Sequence, residues 1–195
     1  MPEGFTAGLV LAAGGSRRLG EPKQLLPYRG TTLLGSVLET ARASGFDQLV
    51  VALGGAASAV RDRVDLSGCD VVVNSEFGVG CSSSIAAALP RLQAHVDTLV
   101  LMLGDQPGVD PATVASLVAG RGAAPLAVCR YDNGRSHPFA FGRAVFDELA
   151  SLHGDKGVWK LLDRRAEEVV EVPAPGRVPL DVDTWQDYEA LLAAV

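Results

Sequence analysis

Cysteine is scarce in this chain of 195 residues: three, at positions 69, 81 and 129, with no Cys-x-x-Cys pair. An odd, widely spaced set excludes a disulfide scaffold and a thiolate zinc site, and it fits a reducing cytoplasm, the expected compartment. Cys69 and Cys129 adjoin apolar runs and are expected in the core, whereas Cys81 lies in a polar, Gly-flanked loop. Cationic excess is absent as well. A net charge of −6 and a pI near 5.0 argue against a general binder of nucleic acid or of anionic membranes. No apolar run approaches the length of a membrane span. The N-terminal stretch lacks a basic segment followed by a long apolar one, so no signal peptide is expected. Internal repeats and low-complexity linkers are missing too. The length suffices for one substantial core and is short for two, so residues 1–195 are expected to form one domain.

Against this acidic background, one stretch is locally basic: Leu11-Ala12-Ala13-Gly14-Gly15-Ser16-Arg17-Arg18-Leu19-Gly20-Glu21-Pro22-Lys23-Gln24-Leu25-Leu26-Pro27. It follows the strand-like Gly8-Leu9-Val10-Leu11. A backbone stripped of side chains aims several N–H groups at an anion, and cations spaced along the same loop neutralise a multiply charged phosphate. A nucleoside triphosphate is the ligand these residues suit. The loop is not a Walker A motif, because Glu21-Pro22 follows Gly20 and Lys23 arrives late. Nor is it the dinucleotide fingerprint, since Ser16 stands where the second glycine belongs.

Apolar runs at residues 7–12, 48–53, 70–73, 99–103 and 126–129 read as strands buried on both faces of a parallel sheet. Helical patterns alternate with them: Leu33, Leu34, Val37, Leu38 and Ala41 share a face that Gly45 ends, and residues 82–92 and 111–119 follow, opened by a serine cap and by Asp110-Pro111. This alternation predicts an α/β fold, a Rossmann-like three-layer α/β/α sandwich with a mostly parallel sheet and right-handed crossovers. Residues 130–135 read as a hairpin turn into an edge strand at 136–141, since Pro138 cannot donate to a ladder. Helices around 144–152 and 158–165, a strand near 168–172 and a helix near 185–192 complete the reading. Gly14-Gly15, Asn74 and Gly104-Asp105 all fall at carboxyl ends of strands, where open α/β sheets bind ligands.

Asp105 follows the most apolar strand and is placed to hold a metal, although a turn role before Gln106-Pro107 also fits. Asp181 and Asp183 project to one side if extended, while Asp183-Thr184 also reads as a helix N-terminus. Around Asn74, Gly80, Ser82 and Ser83, glycines and hydroxyls suit the edge of a flat base, and the serines also suit an N-cap. His95 and His153 carry no partner signal, and no base that would activate Cys81 is visible.

The first loop resembles the signature of nucleotidyltransferases that attach a nucleotide to molybdopterin, most closely the molybdenum cofactor cytidylyltransferase branch. The wider group includes sugar-1-phosphate nucleotidylyltransferases. The likeness continues through residues 74–84, Gly104-Asp105-Gln106-Pro107, His137-Pro138, Gly154-Asp155-Lys156-Gly157 and Asp181-Val182-Asp183-Thr184. It departs at Ser136, where the family has glycine.

The resemblance implies the nucleotide-diphospho-sugar transferase type of fold. Residues up to about 125 would bind the nucleotide; those from about 126 would bind the acceptor and supply the second metal carboxylate. It implies Mg²⁺, or alternatively Mn²⁺, on Asp105 and Asp183, and catalytic roles for Lys23, Arg18 and Asp105. Nucleotide binding would fall to Leu11, Ala12, Ala13, Gly14, Gly15, Ser16, Arg18, Lys23, Asn74, Gly80, Ser82 and Ser83, with Arg17 turned to solvent. His137, Pro138, Asp155 and Lys156 would approach the acceptor. The implied partners are CTP, a molybdopterin-type phosphate and a molybdenum hydroxylase that receives the product. Alternatives are guanylyl transfer, transfer to a sugar phosphate, and a non-catalytic molybdenum cofactor chaperone. Leu11-Ala12-Ala13-Gly14 is the form linked to cytosine and Leu-Ala-Gly-Gly the form linked to guanine; the Cβ of Ala13 would narrow the base slot.

Overall fold

The computed structural model describes residues 4–194. In chain order its elements are β1 (Phe5–Ala12), β2 (Pro27–Tyr28), β3 (Thr31–Thr32), α1 (Leu33–Ala43), β4 (Gln48–Leu53), α2 (Ala57–Arg63), β5 (Asp70–Val73), α3 (Cys81–Ala88), β6 (Val96–Leu103), α4 (Pro111–Arg121), β7 (Leu126–Tyr131), β8 (Gly134–Gly142), α5 (Phe146–Ala150), α6 (Gly157–Arg164), β9 (Val169–Pro173) and α7 (Trp185–Ala193). Seven strands form one sheet in the order β5-β4-β1-β6-β8-β7-β9, and β2 and β3 form a separate small ribbon. All strands of the large sheet run the same way except β8, which is antiparallel to both β6 and β7.

The apolar runs predicted as strands form them because both faces of the central strands are covered by helices. One face packs Val10, Val51, Val100 and Ala127 against Leu34, Leu38, Val60, Val114 and Leu117 of α1, α2 and α4. The other packs Leu9, Val50, Leu101 and Phe139 against Ile85, Leu149 and Leu161 of α3, α5 and α6. The result is the expected three-layer α/β sandwich.

Three local expectations are corrected. The segment from Ser136 is no edge strand: β8 lies inside the sheet, hydrogen-bonded to β6 on one side and β7 on the other. His137 and Pro138 fall in an irregularity where the register jumps between Val128 and Cys129, so the missing proline donor interrupts no regular ladder. The helix expected over 82–92 ends at Ala88 and tightens into a 3-10 turn, Leu89–Arg91, at Pro90. Its N-terminus has no serine cap; the Asp155 carboxylate accepts the Cys81 backbone N–H at 3.0 Å. By contrast, Asp110 caps α4, accepting from the Ala112 and Thr113 N–H groups.

A smaller cluster joins Leu19, Leu26, Tyr28 and Leu33 to Val182, Tyr188 and Leu191. It seats α7 beside the glycine-rich loop, and the Tyr188 hydroxyl donates to the Pro27 carbonyl at 2.5 Å. The chain leading to α7 is also laced to the β7–β8 hairpin. The Asp132 N–H donates to the Gly176 carbonyl at 2.8 Å, and the Val178 N–H donates to the Asn133 Oδ1 at 2.7 Å.

Because Phe139 is fully buried on the interior strand β8, Phe139→Ala should cost about 3–5 kcal/mol. That is roughly 6–20 °C in melting temperature for a chain of this size. Val79→Ala, at a side chain 68% exposed, should change it little. Equal shifts in calorimetry would contradict the interior placement of β8.

Candidate active site

The glycine-rich loop leaves the carboxyl end of β1 and lies across the ends of its two neighbours. This is possible because β4 and β6 are each followed by glycine. A Cβ at Gly54 would stand 2.4 Å from the Ala13 carbonyl oxygen, and one at Gly104 2.9 Å from the Ala12 Cβ. The loop then turns on Ser16, whose φ of 48° is left-handed. The Ser16 carbonyl accepts from Leu19 and Gly20, and its hydroxyl accepts the Lys23 N–H at 2.9 Å. Gln24 braces the loop from beneath: its Nε2 donates to the Ala12 carbonyl at 2.8 Å and to the Gly14 carbonyl at 3.0 Å, while its buried Oε1 has no partner among the described residues. Sequence reasoning missed Gly54 and Gln24, because their roles exist only once distant segments pack.

A cavity of about 460 Å³ opens over this loop. Leu11 to Arg18, Lys23, Gly80, Asp105, Asp155 and Asp183 are all on its walls, together with Phe77 and Cys81. Arg17, expected to face solvent, is exposed but also lines the rim, and it makes no ion pair among the described residues. Asn74, Ser82 and Ser83 are brought near without lining the cavity. The Asn74 amide donates to the Ser83 and Ser84 hydroxyls at 2.8 and 3.0 Å, and the Ser82 hydroxyl donates to the Gly154 carbonyl at 2.6 Å. They hold the start of α3 against the turn at Gly154-Asp155. His137, Pro138 and Lys156 are not on the cavity wall either. The His137 ring packs on Phe139 with centroids 4.0 Å apart, and burial pushes its pKa down to about 3, so it stays neutral.

Charge concentrates at one point. The Lys23 ammonium donates to Asp105 Oδ2 and, at 2.8 Å, to Asp183 Oδ1; Arg18 reaches Asp183 Oδ2 at 3.2 Å. Lys23 and Asp105 are largely buried, with 12% and 17% of their side chains exposed, whereas Asp183 is 44% exposed. Burial pushes the Asp105 carboxyl up, with Asp181 and Asp183 adding repulsion and Lys23 opposing both. The hydrogen bond from Lys23 holds Asp183 below its ordinary range. Burial pulls Lys23 down, but Asp105 and Asp183 together outweigh it and leave its pKa raised. Val182, fully buried, fixes the direction of Asp183, and its N–H donates to the Asp105 carbonyl at 3.2 Å. Asp187 accepts from the Asp183 and Thr184 N–H groups and completes a capping box with Thr184. Thr184 thus caps α7, which leaves the Asp183 side chain free for Lys23.

Among the described residues, no three His, Cys, Asp or Glu side chains gather into a metal cluster. Two carboxylate oxygens do converge on one hard cation, the Lys23 ammonium. That donor set fits Mg²⁺ or Mn²⁺, which take one or two protein carboxylates and complete their shell with water and substrate phosphate. Burial and the neighbouring Asp155 push the Cys81 thiol up, and its Sγ donates to the Asp155 carbonyl at 3.1 Å.

Since Gly54 has no room for a methyl group, Gly54→Ala should force the β4 end and the glycine-rich loop apart. It should destabilise the fold by about 1–3 kcal/mol. An unchanged melting temperature would show that the loop does not rest on β4.

Known proteins share this chain's sequence and fold. Residues 8–169 match the MobA-like NTP transferase domain. Nicotine blue oxidoreductase of Paenarthrobacter nicotinovorans is 35% identical over 160 residues, covering 77% of this chain and 78% of that protein. Bifunctional protein GlmU of Cupriavidus taiwanensis is 36% identical over 148 residues, which is 74% of this chain but only 31% of GlmU. Among solved structures, Rv0371c from Mycobacterium tuberculosis H37Rv superposes with a TM-score of 0.92 at 54% identity, covering 99% of this chain and 100% of that one. Rv0371c in complex with manganese gives a TM-score of 0.89 at 52% identity, covering 98% and 100%. Among the described residues, no helix is long and apolar enough to cross a membrane. A glycine-rich loop and two carboxylates converging at one cavity, with a family match over most of the sequence, lead to one conclusion: the chain belongs to the MobA-like NTP transferase family and is a nucleotidyltransferase.

Proposed function

We propose that this nucleotidyltransferase moves CMP from CTP to the terminal phosphate of a molybdopterin-type acceptor, releasing pyrophosphate. The observation that carries the reading is the meeting of Lys23, Asp105 and Asp183 beneath the glycine-rich loop. An acceptor phosphate oxygen attacks the α-phosphorus of CTP, and the bond from that phosphorus to the bridging oxygen of the β-phosphate breaks. A phosphate is already an anion at neutral pH, so no Ser-His or Cys-His dyad is required. What the chain must supply is alignment and neutralisation of the charge that develops on the leaving pyrophosphate. Arg18 and the loop N–H groups would hold the β- and γ-phosphates, and Lys23 the phosphate at the reacting centre. Asp105 and Asp183 would hold Mg²⁺, which when bound neutralises phosphate charge. Asp155, on the cavity wall, is the acceptor-side residue best placed among those expected; His137 and Lys156 would need the acceptor to extend beyond the cavity. The product would pass, in the cytoplasm, to a molybdenum hydroxylase.

The oxidoreductase name of the Paenarthrobacter relative favours a second reading, a redox enzyme. Ser16 opposes it, because it stands where the dinucleotide fingerprint places its second glycine.

Asp105→Ala should lower turnover by at least about 100-fold, and EDTA should abolish it. Normal turnover in either case refutes the carboxylate-metal site. Lys23→Ala should reduce kcat more than nucleotide affinity, because its charge acts on the reacting phosphate, while Arg18→Ala should raise KM for CTP as well. If both effects are small and equal to that of Arg17→Ala, the loop is structural.

Base choice is read by melting temperature. CTP with Mg²⁺ at about 100 times its Kd should stabilise the fold by roughly 2.7 kcal/mol. GTP at the same concentration should do less, and Ala13→Gly should narrow the gap. A larger shift with GTP than with CTP in the unaltered protein makes the enzyme a guanylyltransferase.

A further inference from the structure

The cations suited to phosphate and the carboxylates suited to metal are already paired with one another. Lys23 bonds Asp105 and Asp183, and Arg18 bonds Asp183. Arg17, one residue away on the same loop, pairs with nothing among the described residues, so the pairing is selective and not a general property of a basic loop. Its centre is also the most shielded part: Lys23 and Asp105 are the least exposed members, with 12% and 17% of their side chains exposed, and a charge held there is stabilised by a counter-ion.

We propose that Lys23 is a built-in counter-ion that closes the metal position of the ligand-free site and must release Asp105 and Asp183 before a divalent ion can hold them. This inference rests on the nucleotidyl-transfer reading and adds to it an internal competitor. Three positive charges, two on the ion and one on Lys23, cannot share two carboxylates without repulsion. Uptake of the metal therefore drives the ammonium off the carboxylates, and an incoming phosphate gives it a new partner. Arg18 makes the same exchange at Asp183. A divalent ion alone displaces Lys23 into the cavity with no anion to meet it, and a triphosphate alone draws Lys23 away from carboxylates left bare. Both halves gain only when they arrive together, so the self-paired state favours the metal–nucleotide complex over either component. Lys23 thus serves as a positioning residue before it serves the reacting phosphate.

The test is the affinity of the nucleotide-free protein for Mn²⁺, followed by loss of the free-ion signal in electron paramagnetic resonance. Lys23→Met should bind Mn²⁺ at least tenfold more tightly than the wild type, since the competitor is gone. Lys23→Arg, which keeps the charge, should remain close to the wild type. Arg17→Met removes the same charge from the same loop without touching a carboxylate, and should gain no more than about threefold. Without metal, Lys23→Met should melt below the wild type, and Mn²⁺ should raise its melting temperature by more than it raises that of the wild type. Should Lys23→Met fail to fold, Lys23→Gln, which keeps a donor toward Asp105, makes the same comparison. A wild type that takes up Mn²⁺ as tightly as the Lys23 variants, or an equal gain in Arg17→Met, overturns the counter-ion role and leaves nucleotidyl transfer standing. If wild type and Lys23 variants all leave the Mn²⁺ signal untouched, the metal site and the counter-ion role fall together.

Discussion

Two carboxylates from distant parts of the sequence meet on one largely buried ammonium, and the architecture around the cavity is arranged to deliver them there. Lys23 comes from the loop after β1, Asp105 from the end of β6 and Asp183 from the entrance to α7. Isolated charges at that depth would be expelled toward water or neutralised; only their mutual proximity makes the position tolerable. The demand is met by parallel strands whose carboxyl ends lie side by side, by glycines that let the loop lie flat on them, and by the small apolar cluster that seats α7. Val182 is the pivot of that cluster. Buried between Asp181 and Asp183, it anchors the segment, and its N–H donates to the Asp105 carbonyl beside the ammonium.

The chemistry assigned to the site is one of charge placement rather than of a tuned acid or base. His137 is held neutral by burial, and burial with Asp155 nearby pushes the Cys81 thiol up, away from the thiolate form. An anionic acceptor needs neither. The donors that matter are backbone N–H groups and fixed cations, whose value in a confined cavity comes from their being oriented before the phosphate arrives.

The repeat of strand and helix was legible because both faces of the sheet are buried, which leaves unbroken apolar runs such as residues 48–53 and 99–103. The loop was legible because its glycines and cations lie within a few residues of each other. Asp105 could be chosen from its place after the most apolar strand. What the sequence hid depends on contacts between remote segments. Pro138 argued for an edge, yet an irregularity lets an interior strand carry it. The cap of α3 is Asp155, dozens of residues downstream, while three consecutive serines advertised a local one. Asp183 was singled out over Asp181 by resemblance alone; its bond to Lys23 exists only once the segment before α7 packs beside the glycine-rich loop.

The hydrogen bonds between the β7–β8 hairpin and residues 176–178 give the turn at Asp132-Asn133 an influence beyond its own strands. The segment it holds ends at Asp183, so the hairpin works as a gauge block for the second carboxylate. Further along, the Gln106 amide donates to the Pro179 carbonyl at 2.8 Å and the Val182 N–H to the Asp105 carbonyl, so the segment is tied at one end to the hairpin and at the other to the turn that carries the first carboxylate.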